Sequence, residues 1–329
     1  MERRQLGSTG IEITAVGYGA WAIGGGGWSF GWGPQDDDES VAAIRHAVDL
    51  GVNWIDTAAI YGLGHSEEVI AKALHDLPEN ERPYVFTKCG LVPQDDPMLP
   101  NRRVGDPASV RREIDASLHR LGVERIDLMQ MHWPADDVEL EDYWSVLVEA
   151  RTAGKVRAIG LSNHDVEKLA RAEAVGHVDS LQPPFSLVKR GAAEALLPWC
   201  AENGTGVIVY SPMQSGLLTG AFDRARVESL PADDWRRNAG EFTTNLDANL
   251  ALVDVLRRIA DRLGTTPGVV AVAWTLAFDA VTGAIVGARR PDQVDGWIQA
   301  GDLRLDEATL AEIESALQST GAGTGPTHP

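Results

Sequence analysis

Three side chains stand where apolar runs stop, and with a tyrosine close behind the first they form an acid–base set. The run 52–55 ends in Asp56, the run 84–87 in Lys88 and the run 128–131 in His132, while Tyr61 follows Asp56 by five residues. A phenol ionises near pH ~10, and a neighbouring ammonium favours its phenolate and lowers that value toward the working range. Lys88 does this only while protonated, and desolvation at a strand end pushes a lysine toward neutrality. Asp56 is the group expected to counter that push. His132 then offers a hydrogen-bond donor to a carbonyl oxygen while Tyr61 gives or takes the proton. Nothing nucleophilic accompanies these groups.

Other runs end in the same way. The run 158–161 leads into Ser162 and Asn163, 180–181 into Gln182, 207–209 into Tyr210 and Ser211, and the last into Gly287, Ala288, Arg289 and Arg290. A single strand-end charge reads equally well as a terminator, but an acid, a lysine and a histidine on three successive runs argue for one shared rim. The runs needed to build it lie at 15–19, 52–56, 84–88, 126–131, 156–161, 178–182, 206–210 and 281–286. Capped amphipathic segments separate them. Asp38 is expected to cap a helix bearing Val41, Ile44 and Val48 and stopped by Gly51; Ser66 with Glu67 and Glu68 starts a second with Ile70, Leu74 and Leu77. Asp106 and Pro107 open a third, which buries Val110, Ile114, Leu118 and Leu121 before Gly122.

Eight strands alternating with helices predict an α/β chain folded as a (β/α)8 TIM barrel, preceded by a small β-hairpin around Gly7-Ser8-Thr9-Gly10. Its chemistry would sit at the C-terminal strand ends. Residues 1–317 read as one barrel domain and 318–329, rich in Gly, Thr and Pro, as a flexible tail. More than thirty residues separate Tyr210 from the helix near Asn245. A connection that long is a lid over a bound ligand or a solvated excursion.

Composition removes several classes. With 29 Lys+Arg against 48 Asp+Glu, the formal charge is −19, so neither nucleic acid nor an anionic membrane is an expected partner. Any bound anion must be held by a local cluster of arginines and backbone amides. Cys89 and Cys200 lie in apolar runs and read as free buried thiols. No paired-Cys, His-x-His or His-Glu-x-x-His pattern occurs, and no metal site is expected. The N-terminus has no apolar leader and no apolar stretch is long enough to span a bilayer, which predicts a cytoplasmic protein. Gly17-Tyr18-Gly19-Ala20-Trp21-Ala22 matches a loose dinucleotide fingerprint, but Gly24 to Gly27 and Trp28 follow where that motif needs a helix.

Asp56-Thr57-Ala58-Ala59-Ile60-Tyr61-Gly62 with Ser66-Glu67, Thr87-Lys88 and Met131-His132-Trp133-Pro134 resemble, in order and combination, the signatures of the aldo-keto reductases. The resemblance runs over essentially the whole chain. It implies Tyr61 as general acid/base, Lys88 and Asp56 as its tuners, His132 as the group that orients a carbonyl, and a nicotinamide cofactor bound without a Rossmann domain. Ser162, Asn163 and Gln182 then stand where the family binds the carboxamide and Tyr210 where a ring stacks on the nicotinamide. Ser211, Pro212, Met213, Gly216, Leu217 and Leu218 resemble the segment passing over the pyrophosphate. Gly287, Ala288, Arg289 and Gln293 resemble the adenosine and 2′-phosphate site, and Arg289 implies NADPH over NADH. Trp297 departs from the family pattern: it either stacks on adenine or packs on the barrel wall. Gln182 to Leu187 and Gly64 to Glu67 look most like the bacterial subgroup of general stress proteins and inositol-utilisation reductases.

Trp21, Trp28, Phe30, Trp32 and Trp133 fall on or beside loops at the same rim, which predicts an aromatic-walled pocket for apolar or aromatic carbonyl or alcohol substrates. The expected activity is NADPH-dependent reduction of aldehydes or ketones. Two other uses of the same residues stay open, a cofactor-sensing subunit like the channel β-subunits and an NADP-dependent alcohol or polyol dehydrogenase.

Overall fold

The protein is described by a computed structural model covering residues 1–231 and 234–329. Its N-terminal hairpin pairs β1 (Arg3–Gln5) antiparallel with β2 (Glu12–Thr14). Three barrel strands follow, β3 (Val16–Gly19), β4 (Trp54–Asp56) and β5 (Tyr84–Cys89). A two-stranded antiparallel flap, β6 (Leu91–Val92) and β7 (Arg102–Arg103), stands off the end of β5. The ring is completed by β8 (Ile126–Met131), β9 (Val156–Ser162), β10 (Ser180–Gln182), β11 (Gly206–Val209) and β12 (Gly283–Gly287). All eight barrel strands are parallel, and β12 pairs with β3 to close it. Each overlaps a run expected from the sequence, so the (β/α)8 reading holds.

Among the described residues, eleven α-helices accompany them. In chain order they are α1 (Asp37–Asp49), α2 (His65–Leu74), α3 (Pro107–Leu121), α4 (Leu140–Thr152), α5 (Val166–Val175) and α6 (Ala192–Asn203). The rest are α7 (Arg224–Glu228), α8 (Leu246–Leu263), α9 (Pro267–Leu276), α10 (Pro291–Asp295) and α11 (Glu307–Thr320). α3 starts and stops as expected, with Asp106 capping Ser109 N and Gly122 in the left-handed conformation. Two expectations need correction. α1 is capped by Asp36, whose carboxylate accepts from Asp38 N and Glu39 N, while Asp38 lies inside the first turn and pairs with Lys72. Ser66 lies inside α2, and its buried hydroxyl bonds Thr57 Oγ1 and the Ala20 carbonyl, tying the helix to two strand ends.

The barrel interior is filled from below. Leu6, Ile11 and Ile13 of the hairpin segment pack with Trp54, Phe86, Leu128, Ala158, Ile208 and Ile285. Trp54 occupies room left by Gly17, where a Cβ would come within 2.1 Å of the indole. Removing that ring would cost about 3–5 kcal/mol, a large part of the ~5–15 kcal/mol by which a domain is stable. The polar strand ends therefore rest on a rigid apolar floor.

The connection after β11 has structure of its own. Leu217, Phe222, Val227, Leu230, Phe242 and Leu246 form a separate apolar cluster around α7 and short helical turns. It is a packed flap rather than a solvated excursion; Ala232 and Asp233 lie outside the described residues. The tail also departs from expectation. α11 continues to Thr320, Ala322 is fully buried, and Arg190 N donates to the Thr324 carbonyl. Main-chain bonds hold a Gly-rich segment that composition alone marks as frayed.

Candidate active site

The register of the sheet brings the expected polar residues together. Asp56 ends β4, Lys88 lies near the end of β5 opposite Gln130 of β8, and His132 follows β8 directly. Lys88 Nζ donates to Asp56 Oδ1 at 2.5 Å and to the Thr57 carbonyl at 2.8 Å, both side chains being buried. Tyr61 reaches them from a tight turn. Gly62 has φ +60°, and a Cβ there would meet the Gly24 carbonyl at 2.2 Å, so glycine is required for this turn to lie against the loop after β3. The Tyr61 ring centre is 5.3 Å from Lys88 Nζ and 5.8 Å from the His132 ring.

The electrostatics differ from the simple expectation in one respect. Burial, then the nearby Asp56 carboxylate, then Tyr210 push the Tyr61 phenol well above the ordinary tyrosine range. The expected lowering by Lys88 does not dominate, because the ammonium is bonded to Asp56 and Thr57 rather than to the phenol oxygen. Tyr61 is thus a protonated phenol at neutral pH. Burial and the Lys88 charge hold His132 well below the usual imidazole range, and its Nδ1 is buried without a partner. A neutral ring in that setting leaves Nε2 as the nitrogen toward the open space. Desolvation raises Asp56 and lowers Lys88, while their mutual attraction opposes both shifts.

Sequence reasoning missed Gln130, which joins Gln182 in a polar layer beneath this set. Gln182 Nε2 donates to Asp56 Oδ2 at 2.8 Å and lies 3.4 Å from Gln130 Oε1. The signal was present: Gln130 is the polar residue inside the otherwise apolar end of the run 126–131. Asn163 is also engaged, accepting from the Tyr210 hydroxyl at 2.8 Å and donating to the His132 carbonyl at 3.0 Å. Ser162 Oγ donates to the Gln182 carbonyl. The residues resembling a carboxamide site are therefore oriented by one another and by the tetrad.

A cavity of about 820 Å³ opens above these groups, at the large end of the ~300–1,000 Å³ usual for small-molecule sites. Asp56, Tyr61, His132, Ser162, Asn163, Gln182, Tyr210, Ser211, Pro212, Met213 and Gly216 line it, as do Gly287, Ala288, Arg289 and Gln293. Trp21, Trp28, Phe30, Trp32 and Trp133 form its aromatic side. Three expected residues do not line it: Lys88 is buried beneath, Leu217 packs in the cluster with Phe222, and Leu218 is fully buried in the core between sheet and helices. Trp297 borders the cavity but is 2% exposed and belongs to the same core, which favours wall packing over a free stacking face. Trp235 was not anticipated; it stacks on Trp21 at 6.0 Å and meets Trp32 edge-on. Arg289 donates to Gln35 Oε1 and to the carbonyls of Trp32 and Pro34, fastening the loop after β3.

Ser211, Gln214, Ser215 and Gly216 all have positive φ. Ser211, Ser215 and Gly216 line the cavity, so this turn presents backbone to the same space as the acid–base set. The sequence pattern of the Aldo/keto reductase family matches residues 16–318. The chain belongs to that family. As a member of the aldo/keto reductases it is an oxidoreductase. It is 33% identical to the aldo-keto reductase YhdN of Bacillus subtilis (strain 168), over 97% of this chain and 95% of that one. It is 34% identical to the NADH-specific methylglyoxal reductase of Escherichia coli (strain K12), over 97% and 100%. Among solved structures, the glycerol dehydrogenase AKR11B4 from Gluconobacter oxydans superposes with a TM-score of 0.88 at 34% identity, covering 98% of this chain and 97% of that one. Among the described residues, no helix is long and apolar enough to cross a membrane.

Proposed function

We propose that the protein reduces small aldehydes or ketones with NADPH, and oxidises the corresponding alcohols in reverse, using Tyr61 as the acid/base. The observation that carries this reading is the Tyr61 phenol beside the His132 ring and the buried Asp56–Lys88 pair, at one end of a cavity of about 820 Å³. A nicotinamide dinucleotide, when bound, supplies or accepts the hydride. Ser162, Asn163 and Gln182 would hold its carboxamide and Tyr210 its ring face. Ser211, Pro212, Met213 and Gly216 would take the pyrophosphate, and Gly287, Ala288, Arg289 and Gln293 the adenosine end.

His132 Nε2–H holds the carbonyl oxygen, and Tyr61 delivers its proton to the same atom as charge develops there. Lys88 then stabilises the resulting phenolate, with Asp56 and the Thr57 carbonyl fixing the ammonium in a water-poor site. The rings of Trp21, Trp28 and Trp133 keep water from the reacting atoms. The preference for NADPH rests on Arg289. Relatives named for opposite cofactors exist, the NADH-specific Escherichia coli enzyme and the aldo-keto reductase yakc [NADP(+)] of Schizosaccharomyces pombe at 30% identity, so the selecting charge must come from this chain.

The testing experiment titrates intrinsic Trp fluorescence with NADPH and NADH, then follows absorbance of the reduced nicotinamide after adding aldehydes and ketones. Tight NADPH binding with turnover is expected. Equal use of NADH would remove Arg289 as the selector, and tight binding without turnover would turn the reading toward a cofactor sensor. The glycerol dehydrogenase neighbour favours a second reading in the oxidative direction, and faster turnover of short polyols with NADP+ than of any carbonyl with NADPH would establish it.

A further inference from the structure

The cavity wall carries arginines, and they differ in what already holds them. Arg236 pairs with Asp234 at 2.6 Å, Arg226 donates to the Ala221 carbonyl at 2.8 Å, and Arg289 is fastened to the loop after β3. Arg103 is held only by a ring. Its guanidinium lies 4.6 Å from the centre of Trp133, and among the described residues it has no hydrogen-bond acceptor and no carboxylate within 4.0 Å.

The backbone at this point is anchored. Arg103 pairs with Leu91 across the β6–β7 ladder, and its carbonyl accepts from Asp136 N. Strand alternation sets the neighbouring Arg102 apart: Arg103 lines the cavity and Arg102 does not. Close in the chain, Asp137 is committed to the N–H groups of Gly105 and Asp106. In the reacting layer, Lys88 is neutralised by Asp56 and His132 is uncharged. Arg103 is therefore the unneutralised cation offered by this side of the pocket, next to the residue that follows His132, in a chain of net charge −19.

We propose that Arg103 anchors a carboxylate on the substrate, so that the site takes carbonyl compounds whose aldehyde or keto group is joined through an apolar or aromatic spacer to an anionic group. This rests on the carbonyl-reductase reading and names its substrate class. A guanidinium presents paired donors in a plane that matches a carboxylate. Trp133 beneath it fixes that plane and shields one face from water. The aromatic rings that line the same cavity, Trp28 and Trp133 among them, fit the spacer. Asn101, from the same flap, lines the cavity as a further polar group.

The test compares 4-carboxybenzaldehyde with its methyl ester, which share ring and reacting carbonyl but differ in charge. In Arg103→Gln, KM for the acid should rise about tenfold, with kcat and the ester's KM changed by no more than about twofold. Arg102→Gln should leave both substrates as in wild type, which separates a specific contact from a general field. An equal loss for acid and ester, or no loss for either, would overturn the anchor. If wild type reduces neither compound, the reductase reading fails separately. The anchor is then read by Trp fluorescence with benzene-1,4-dicarboxylate: binding by wild type that Arg103→Gln loses supports it, and equal or absent binding in both overturns it.

Discussion

The two sides of the cavity are built by different means. Asp56, Lys88, Gln182 and Gln130 sit on strands, are buried, and bond one another over an apolar floor. The opposite side is made of loops: the positive-φ run from Ser211 to Gly216, the small cluster around Phe222, and the aromatic segment fastened by Arg289. Strands hold groups to the tolerance that proton transfer needs, whereas loops can open and close around a long ligand. Substitutions in the acid–base set that the strands position should therefore change turnover at constant cofactor affinity, and those on the loop side the reverse.

The largest effect is expected at Tyr61. Tyr61→Phe should lower kcat for carbonyl reduction by about 10²–10⁴ while the NADPH dissociation constant stays put, and retained turnover would break the strand-side half of the comparison. Next comes Gln130→Met. Gln182 and Gln130 both hold the Asp56 carboxyl down, so removing one amide raises it. The acid limb of kcat should move to higher pH with roughly a tenfold loss near neutrality; an unmoved limb would show that the amides only fill space.

On the loop side, Phe222→Ala should raise the apparent KM for NADPH several-fold with little change in kcat, and NADPH should protect residues 216–237 from proteolysis in wild type. Protection absent in wild type would mean that the flap does not close on the cofactor. The smallest effect concerns Glu113, which accepts from Gly90 N and is pushed up to about 7, chiefly by burial. An unfolded glutamate titrates near ~4.3, so the folded state keeps the proton longer and stability falls as pH rises between these values. Glu113→Gln should flatten that slope in thermal melts and be favoured on the alkaline side.

The strand side was legible because its rules are local. Apolar runs ending in Asp56, Lys88 and His132 mark strands and their polar ends at once, and the parallel register then brings those ends together. What could not be read depends on distances. The direction of the Tyr61 shift is set first by burial and then by the distance to Asp56, and neither can be read from spacing along the chain. The α1 cap was misplaced because Asp36, Asp37 and Asp38 offer the same side chain at three successive positions. Gln182 was placed at the rim by the short apolar run it ends, but its bond to Asp56 needs the closure of the barrel, which puts residues 126 positions apart in contact.

The docked C-terminal segment gives the molecule a mechanical linkage. Ala322 and Gly325 supply carbonyl acceptors to the Arg190 guanidinium, and Thr324 pairs with the main chain at Lys189 and Arg190. Lys189 in turn exchanges both main-chain bonds with Ser186, whose hydroxyl donates to Gln214 in the positive-φ run. A chain cut back to Gln318 would strip a largely buried cation of acceptors, and the slack would run from the last residues of the protein to the turn between Ser211 and Gly216 that borders the cavity.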